Sequence, residues 1–153
     1  MSERTDALLA RMTADERVEL VTGRDMWHTR AVERLGIRSM KVTDGPNGAR
    51  GDGLMGTGTA TACIPSGSML GATWDPEQAE RHARLPGDEG RAKGAHAPLA
   101  PPINLPRSPK GGRNCECYTE EPLLTGRLAA AFVRGVQSRG GATTAKNFVA
   151  NDS

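Results

Sequence analysis

Between residues 5 and 22 the apolar positions Leu8, Leu9, Met12, Val18, Leu20 and Val21 recur among charged neighbours at helical intervals. That pattern predicts an amphipathic helix over 5–22. Within it "TADE" matches a capping box, with Thr13 as cap and Glu16 reaching back, so a new helical turn can begin there; Gly23 is a natural stop. "GIRSMKVTDGPNG" then reads as a short strand, with Ile37, Met40 and Val42 apolar, running into the turn Asp44–Gly48. A Gly/Thr loop over 51–61 follows, and "IPSGSMLGATWD" predicts a second short strand. Asp75-Pro76 opens a helix, with Asp as N-cap and Pro in the first helical position. Pro86 and Gly87 are expected to interrupt it, because an interior proline costs about 3 kcal/mol or more. "HAPLAPPINL" takes the place of a third strand, although Pro98, Pro101 and Pro102 suit a central strand poorly. The strongest helix is 122–139, where Leu124, Leu128, Ala131, Phe132, Gly135 and Val136 share one face. Residues 142–149 form the last strand. Helix, strand, strand, helix, strand, helix, strand is the order of an α/β chain with a parallel sheet.

Composition thins the expected core. Only 37% of residues are hydrophobic, and the five aromatic residues are Trp27, Trp74, Tyr118, Phe132 and Phe148. The net charge of +2 comes from Lys and Arg spread along the chain, which argues against nucleic acid or an anionic membrane as a partner. No apolar run approaches the roughly 20 residues of a membrane span. The charged N-terminus lacks a signal-peptide core, so the expected location is the cytoplasm. Cys63, Cys115 and Cys117 fit cytosolic thiols. "CEC" has no second cysteine pair, and His28, His82 and His96 lack zinc-type spacing from it, so neither a metal nor a cofactor is expected.

Ligands of parallel α/β sheets bind at the C-terminal ends of strands. Three polar groups fall there: Asp44 after the first strand, Arg113 in the loop after the third, and Lys146 on the fourth. A carboxylate and two cations on one rim suit a neutral polyhydroxylated ligand, because each hydroxyl both donates and accepts. Asp44 serves equally well as a turn former, and Arg113 as a plain loop cation. Lys146 is harder to set aside, since a lysine in a buried strand needs a partner or access to solvent. Glu116, Glu120 and Glu121 near Arg113 read as ordinary loop and helix-start carboxylates. "GDGLMG" at 51–56 satisfies G-x-G-x-x-G, but a turn precedes it and no helix follows, so it reads as a surface loop rather than a dinucleotide site.

Several separate blocks, in order, resemble the N-terminal domain of family 3 glycoside hydrolases of the β-glucosidase type: "ERLGIRSMKVTDGPNGARG", "LGATWDPE", "EGRAKGAH", "INLPRSPKGGRNCECYTEEPLLTGRLAAAFVRGVQSRG" and "TTAKNFVANDS". The resemblance implies a TIM-like barrel and hydrolysis of terminal β-linked sugars with retention, through two carboxyls, one a nucleophile and one a general acid/base. It also implies that Asp44 in "TDGP", Arg113 in "GGRN" and Lys146 in "AKNF" bind hydroxyls of a small-molecule glycoside or oligosaccharide. Asn147, beside Lys146, is expected to bind substrate as well; it stands where the family usually has histidine, and an amide still donates and accepts but carries no charge. Cys115 replaces an aromatic residue, Pro106 stands where histidine is common, and Glu121 precedes Pro122 where aspartate is typical.

The family's nucleophile, an aspartate on a later strand, and its acid/base, from a second domain, would both lie beyond Ser153. The expectation is therefore an incomplete domain spanning 1–153: the N-terminal helix, then about four βα units, the first half of a TIM-like (β/α)8 barrel of ~250 residues. Such a chain is expected to contribute sugar-binding residues with no catalytic residue of its own. Open sheet edges would invite self-association. The alternatives are a non-catalytic sugar-binding or self-associating remnant, or an unfolded product of a decaying gene.

Overall fold

The computed structural model describes residues 2–51, 59–147 and 151. Most of "GDGLMG" and the strand positions 148–149 lie outside the described residues. The chain forms two compact units, divided between Val42 and Thr43.

In the first unit, α1 (Glu3–Arg11) and α2 (Ala14–Thr22) are separate helices joined through an extended Met12. The junction is set by the capping box: Thr13 Oγ1 accepts from the Glu16 amide at 3.2 Å, and Glu16 Oε2 accepts from the Thr13 amide at 2.9 Å. Those bonds satisfy donors that a single continuous helix would have used differently. Met12, Val32 and Leu35 are buried together, with Leu8, Leu9, Leu20 and Ile37 packed against them. Arg34 closes this small core from outside with an ion pair to Glu16 at 2.7 Å.

The second unit is an α/β fold with a small open parallel sheet and flanking helices. Thr43 ends β1 (Val42–Thr43), and its carbonyl accepts from Leu99, just past β2 (Ala97–Pro98), at 2.8 Å. On the other side of that segment runs 142–146: the Ala142 amide donates to His96, the Thr144 amide to Ala100 and the Lys146 amide to Pro101. Pro102 and Lys146 form a parallel bridge. The prolines that look foreign to a central strand are accommodated by register. Pro98 and Pro101 lack a donor, but their carbonyls accept from Thr144 and Lys146.

Besides the division of the helix expected over 5–22 into α1 and α2, two elements differ from the expectation. Residues 67–73 form α3 (Gly67–Thr73), not a strand, with Ser66 as its N-cap. Its glycines are demanded by packing: a Cβ on Gly67 would lie 1.9 Å from the Glu116 carbonyl, and one on Gly71 would lie 2.0 Å from that of Tyr118. Furthermore, α4 (Pro76–Ala92) runs straight through Pro86 and Gly87. The partner that offsets the proline's cost is α5 (Pro122–Gln137). Ala83, Phe132 and Val136 are buried together, and a Cβ on Gly135 would come within 2.3 Å of the Glu80 carbonyl. Small residues on both helices allow that approach. Leu70, Ala79, Tyr118, Leu124 and Leu128 extend the core. Glu121, an atypical cap, nonetheless caps α5, accepting from the amides of Leu123 and Leu124.

Candidate binding site

The first strand ends at a fully buried Thr43, whose hydroxyl donates to the Asp44 carbonyl at 3.1 Å and accepts from the Gly51 amide at 2.9 Å. This pins both ends of the Asp44–Arg50 turn. Gly45 and Gly48 have φ of +126° and +146°, and a Cβ on either would strike backbone, at 1.6 Å from Gly48 O and 2.1 Å from Ala62 O respectively. Only glycine fits there. The turn presents the Asp44 carboxylate to a cavity of about 340 Å³ lined by Asp44, Arg50, Cys63, Arg113, Glu116 and Lys146, among others.

Arg113 reaches the same cavity from the loop after β2. Asn114 Nδ2 donates to the Ser108 carbonyl at 2.6 Å, closing that loop, and residues 114–116 make one turn of 3₁₀ helix. The turn sets Glu116 beside Arg113, and the two form a bidentate pair at 2.7 and 2.9 Å. Lys146 enters from the last extended segment with its side chain only 18% exposed. Its Nζ lies 3.5 Å from Asp44 Oδ1 and 3.3 Å from Glu116 Oε2. Arg50 takes the other oxygen of Asp44. The result is an alternating chain of charges: Arg50, Asp44, Lys146, Glu116, Arg113.

Charge pairing governs the protonation states. Burial alone would raise the Asp44 carboxyl, but Lys146 and then Arg50 outweigh it and hold it below its ordinary value. The Arg113 fork, assisted by Lys146 and opposed by burial, lowers Glu116 in the same way. The Arg113 guanidinium is raised in turn by its bond to Glu116. Both carboxylates are therefore ionised and engaged at neutral pH. The Lys146 contacts are longer than those of the Arg113 fork, and an ammonium has three freely directed donors. Lys146 is thus the member best able to turn toward an incoming hydroxyl.

Asp44, Arg113 and Lys146 meet as their positions in the chain suggest. Asn147 does not line the same cavity; it lies in a narrow crevice with Asn104, Arg113, Asn114, Cys117 and Asn151. Its φ of +61° is left-handed, a conformation that asparagine tolerates better than most residues. Two members of the charge chain were missed from sequence. Arg50 gives no sequence signal, because only the folded turn brings it back onto Asp44. Glu116 does give one: it stands three residues after Arg113, the spacing at which a helical turn makes opposite charges adjacent. Among the described residues no group of three or more His, Cys, Asp or Glu is arranged to hold a metal ion, and no helix is long and apolar enough to cross a membrane.

Residues 8–153 match the profile of the glycosyl hydrolase family 3 N terminal domain. A β-glucosidase from Rhizobium radiobacter is 52% identical over 148 residues, covering 97% of this chain and 18% of that protein. The crystal structure of a β-glucosidase from Kluyveromyces marxianus in complex with glucose is similar with a TM-score of 0.89 and 38% identity, covering 99% of this chain and 18% of that one. A β-glucosidase from Streptomyces venezuelae, in complex with D-glucose, gives a TM-score of 0.83 at 37% identity over 100% of this chain and 20% of its own. The chain thus spans about a fifth of the length of these relatives.

Proposed function

This chain belongs to glycosyl hydrolase family 3, and from that premise we propose that its charged cavity grips the terminal sugar of a β-linked glycoside. The observation that carries the reading is Lys146, a mostly buried ammonium suspended between two carboxylates at 3.3 and 3.5 Å. Sugar hydroxyls can insert into such an alternating chain, accepting from Lys146 and Arg113 while donating to Asp44. Charge-assisted bonds of this kind are roughly twice as strong as neutral ones. Glucose bound to two similar proteins supports the choice of ligand class.

The role is binding, not bond cleavage. A retaining glycosidase needs one carboxyl protonated to act as general acid and a second free to attack the sugar. Asp44 and Glu116 are both held ionised, and their oxygens are occupied by Arg50, Arg113 and Lys146. Residues 1–153 alone are therefore expected to bind sugar without turning over a glycoside, while the hydrolysis belongs to the retaining exo-β-glycosidase whose sugar grip they supply.

Calorimetric titration of the 153-residue chain with glucose tests this reading. Saturable binding that Lys146→Met or Arg113→Ala weakens tenfold or more, roughly the effect of one charged hydrogen bond, is expected. Absence of saturable binding in the unaltered chain overturns it. Release of aryl alcohol from an aryl β-glucoside, abolished by Arg113→Ala, would overturn the assignment of a purely binding role.

A further inference from the structure

Glu89 stands on α4, outside the cavity lining, yet it fastens two of the segments that form it. Its Oε2 accepts from the Ala49 amide at 3.2 Å and from the Thr61 hydroxyl, while Oε1 accepts from the Ala62 amide at 2.7 Å. One turn further on, Lys93, the residue that caps the C-terminus of α4, donates from Nζ to the Ala49 carbonyl. Both backbone groups of Ala49, a residue with no exposed surface, are thus held by the C-terminal end of α4 and its capping residue. Both tethered segments line the cavity, through Asn47, Gly48 and Arg50 and through Thr61, Ala62 and Cys63, and they also pair with each other, the Ile64 amide donating to Asn47 and the Thr59 amide to Arg50. Ala49 is the immediate neighbour of Arg50, whose side chain holds Asp44 and whose amide donates to the Asp44 carbonyl at 3.0 Å.

We infer that Glu89 is a positioning residue for the sugar site: by joining the 47–50 and 61–63 segments to α4, it fixes Arg50 on Asp44 and keeps the charge chain aimed at the ligand. A carboxylate suits this task because it only accepts, and three donors from two segments converge on it. Burial pushes its carboxyl up, but bonds from Thr61 and the amides of Ala62 and Ala49 outweigh that and keep it ionised. Glutamine would offer one acceptor oxygen in place of two and would turn an N–H toward a donor.

The inference rests on the sugar-grip reading for its affinity test, so it is tested with two readouts on the 153-residue protein. The first, independent of any sugar, is the NMR titration of the Asp44 carboxyl in E89Q. A midpoint higher than in the unaltered chain is expected, because a loosened wall lets Arg50 leave Asp44; an unchanged midpoint overturns the inference. The second is glucose affinity by calorimetry, with roughly a tenfold loss in E89Q expected from the loss of charge-assisted bonds. Affinity within twofold of the unaltered chain overturns it. If the unaltered chain takes up no glucose, the grip reading fails and the Asp44 titration alone decides for Glu89. Should E89Q fail to fold, E89D keeps the charge with a shorter reach and is expected to show the same two shifts at smaller size; no shift in either readout overturns the inference.

Discussion

Between α4 and α5 the contact is made of Ala79, Ala83, Phe132, Gly135 and Val136, small or apolar residues at helical spacing. At the cavity it is made of five ionised side chains from three separate segments, alternating in sign. The helix seam is held by burial, which is non-directional and rewards shape. The cavity is held by directed bonds between groups that pay to leave water, so each member depends on the next. The seam should therefore report damage as lost stability, and the cavity should report it as lost binding.

The largest effect is expected at the seam. Phe132→Ala removes a side chain that is 1% exposed and should cost ~3–5 kcal/mol in chemical denaturation. Glucose affinity of the fraction still folded should stay within twofold. A loss of affinity as large as that from Lys146→Met would erase the distinction between the two regions.

Lys146→Met sharpens the contrast from the other side. Asp44 and Glu116 then lose the cation between them, and the Asp44 carboxyl should rise from its lowered position toward or above its ordinary value of 3.8. NMR titration of the variant checks this, and a midpoint unchanged from the parent would mean that Arg50 alone holds Asp44.

Acid should act on the cavity before the seam. Folding has lowered Asp44, Glu116 and Glu89 from ordinary values of 3.8, 4.5 and 4.5. The stability they contribute is fully present above those ordinary values and is lost as pH falls through the lowered folded values. Glucose affinity should thus be flat from pH 5 to 8 and decline only as pH falls through the lowered folded values of these carboxyls, for Asp44 below its ordinary 3.8. Decline already at pH 6 would implicate a histidine instead.

The smallest effect is expected at an exposed pair. Asp88 and Arg139 meet at 2.7 Å, but both are exposed, keeping 48% and 43% of their side-chain surface open to solvent. Asp88→Asn should leave Tm and glucose affinity unchanged within error, because exposed ion pairs contribute little.

Much of this was legible beforehand. The capping box at Thr13–Glu16 and the helix at Pro122–Gln137 rest on neighbours three or four residues apart, and such signals survive in sequence. So did the meeting of Asp44, Arg113 and Lys146, because strand ends converge in a parallel sheet. The errors fell at 67–73, a helix where a strand is expected, and at Pro86 and Gly87, where a break is expected in a helix that continues. Gly67, Gly71 and Gly87 are packing surfaces, and Pro86 is buried within an unbroken helix.

The amino-acid order by itself determined the capping box at Thr13–Glu16, the helix that opens at Pro122, the turn at Asp44–Gly48 and the charges available at the strand ends. Only the tertiary structure decided how those charges are shared: that Lys146 lies between two carboxylates, that Glu116 clamps Arg113, that Arg50 returns to Asp44, and that Glu89 ties the cavity wall to α4. The reason is range. Caps and helical faces join residues a few positions apart, whereas Glu89 meets Ala49 across 40 positions, a pairing that no local spacing encodes.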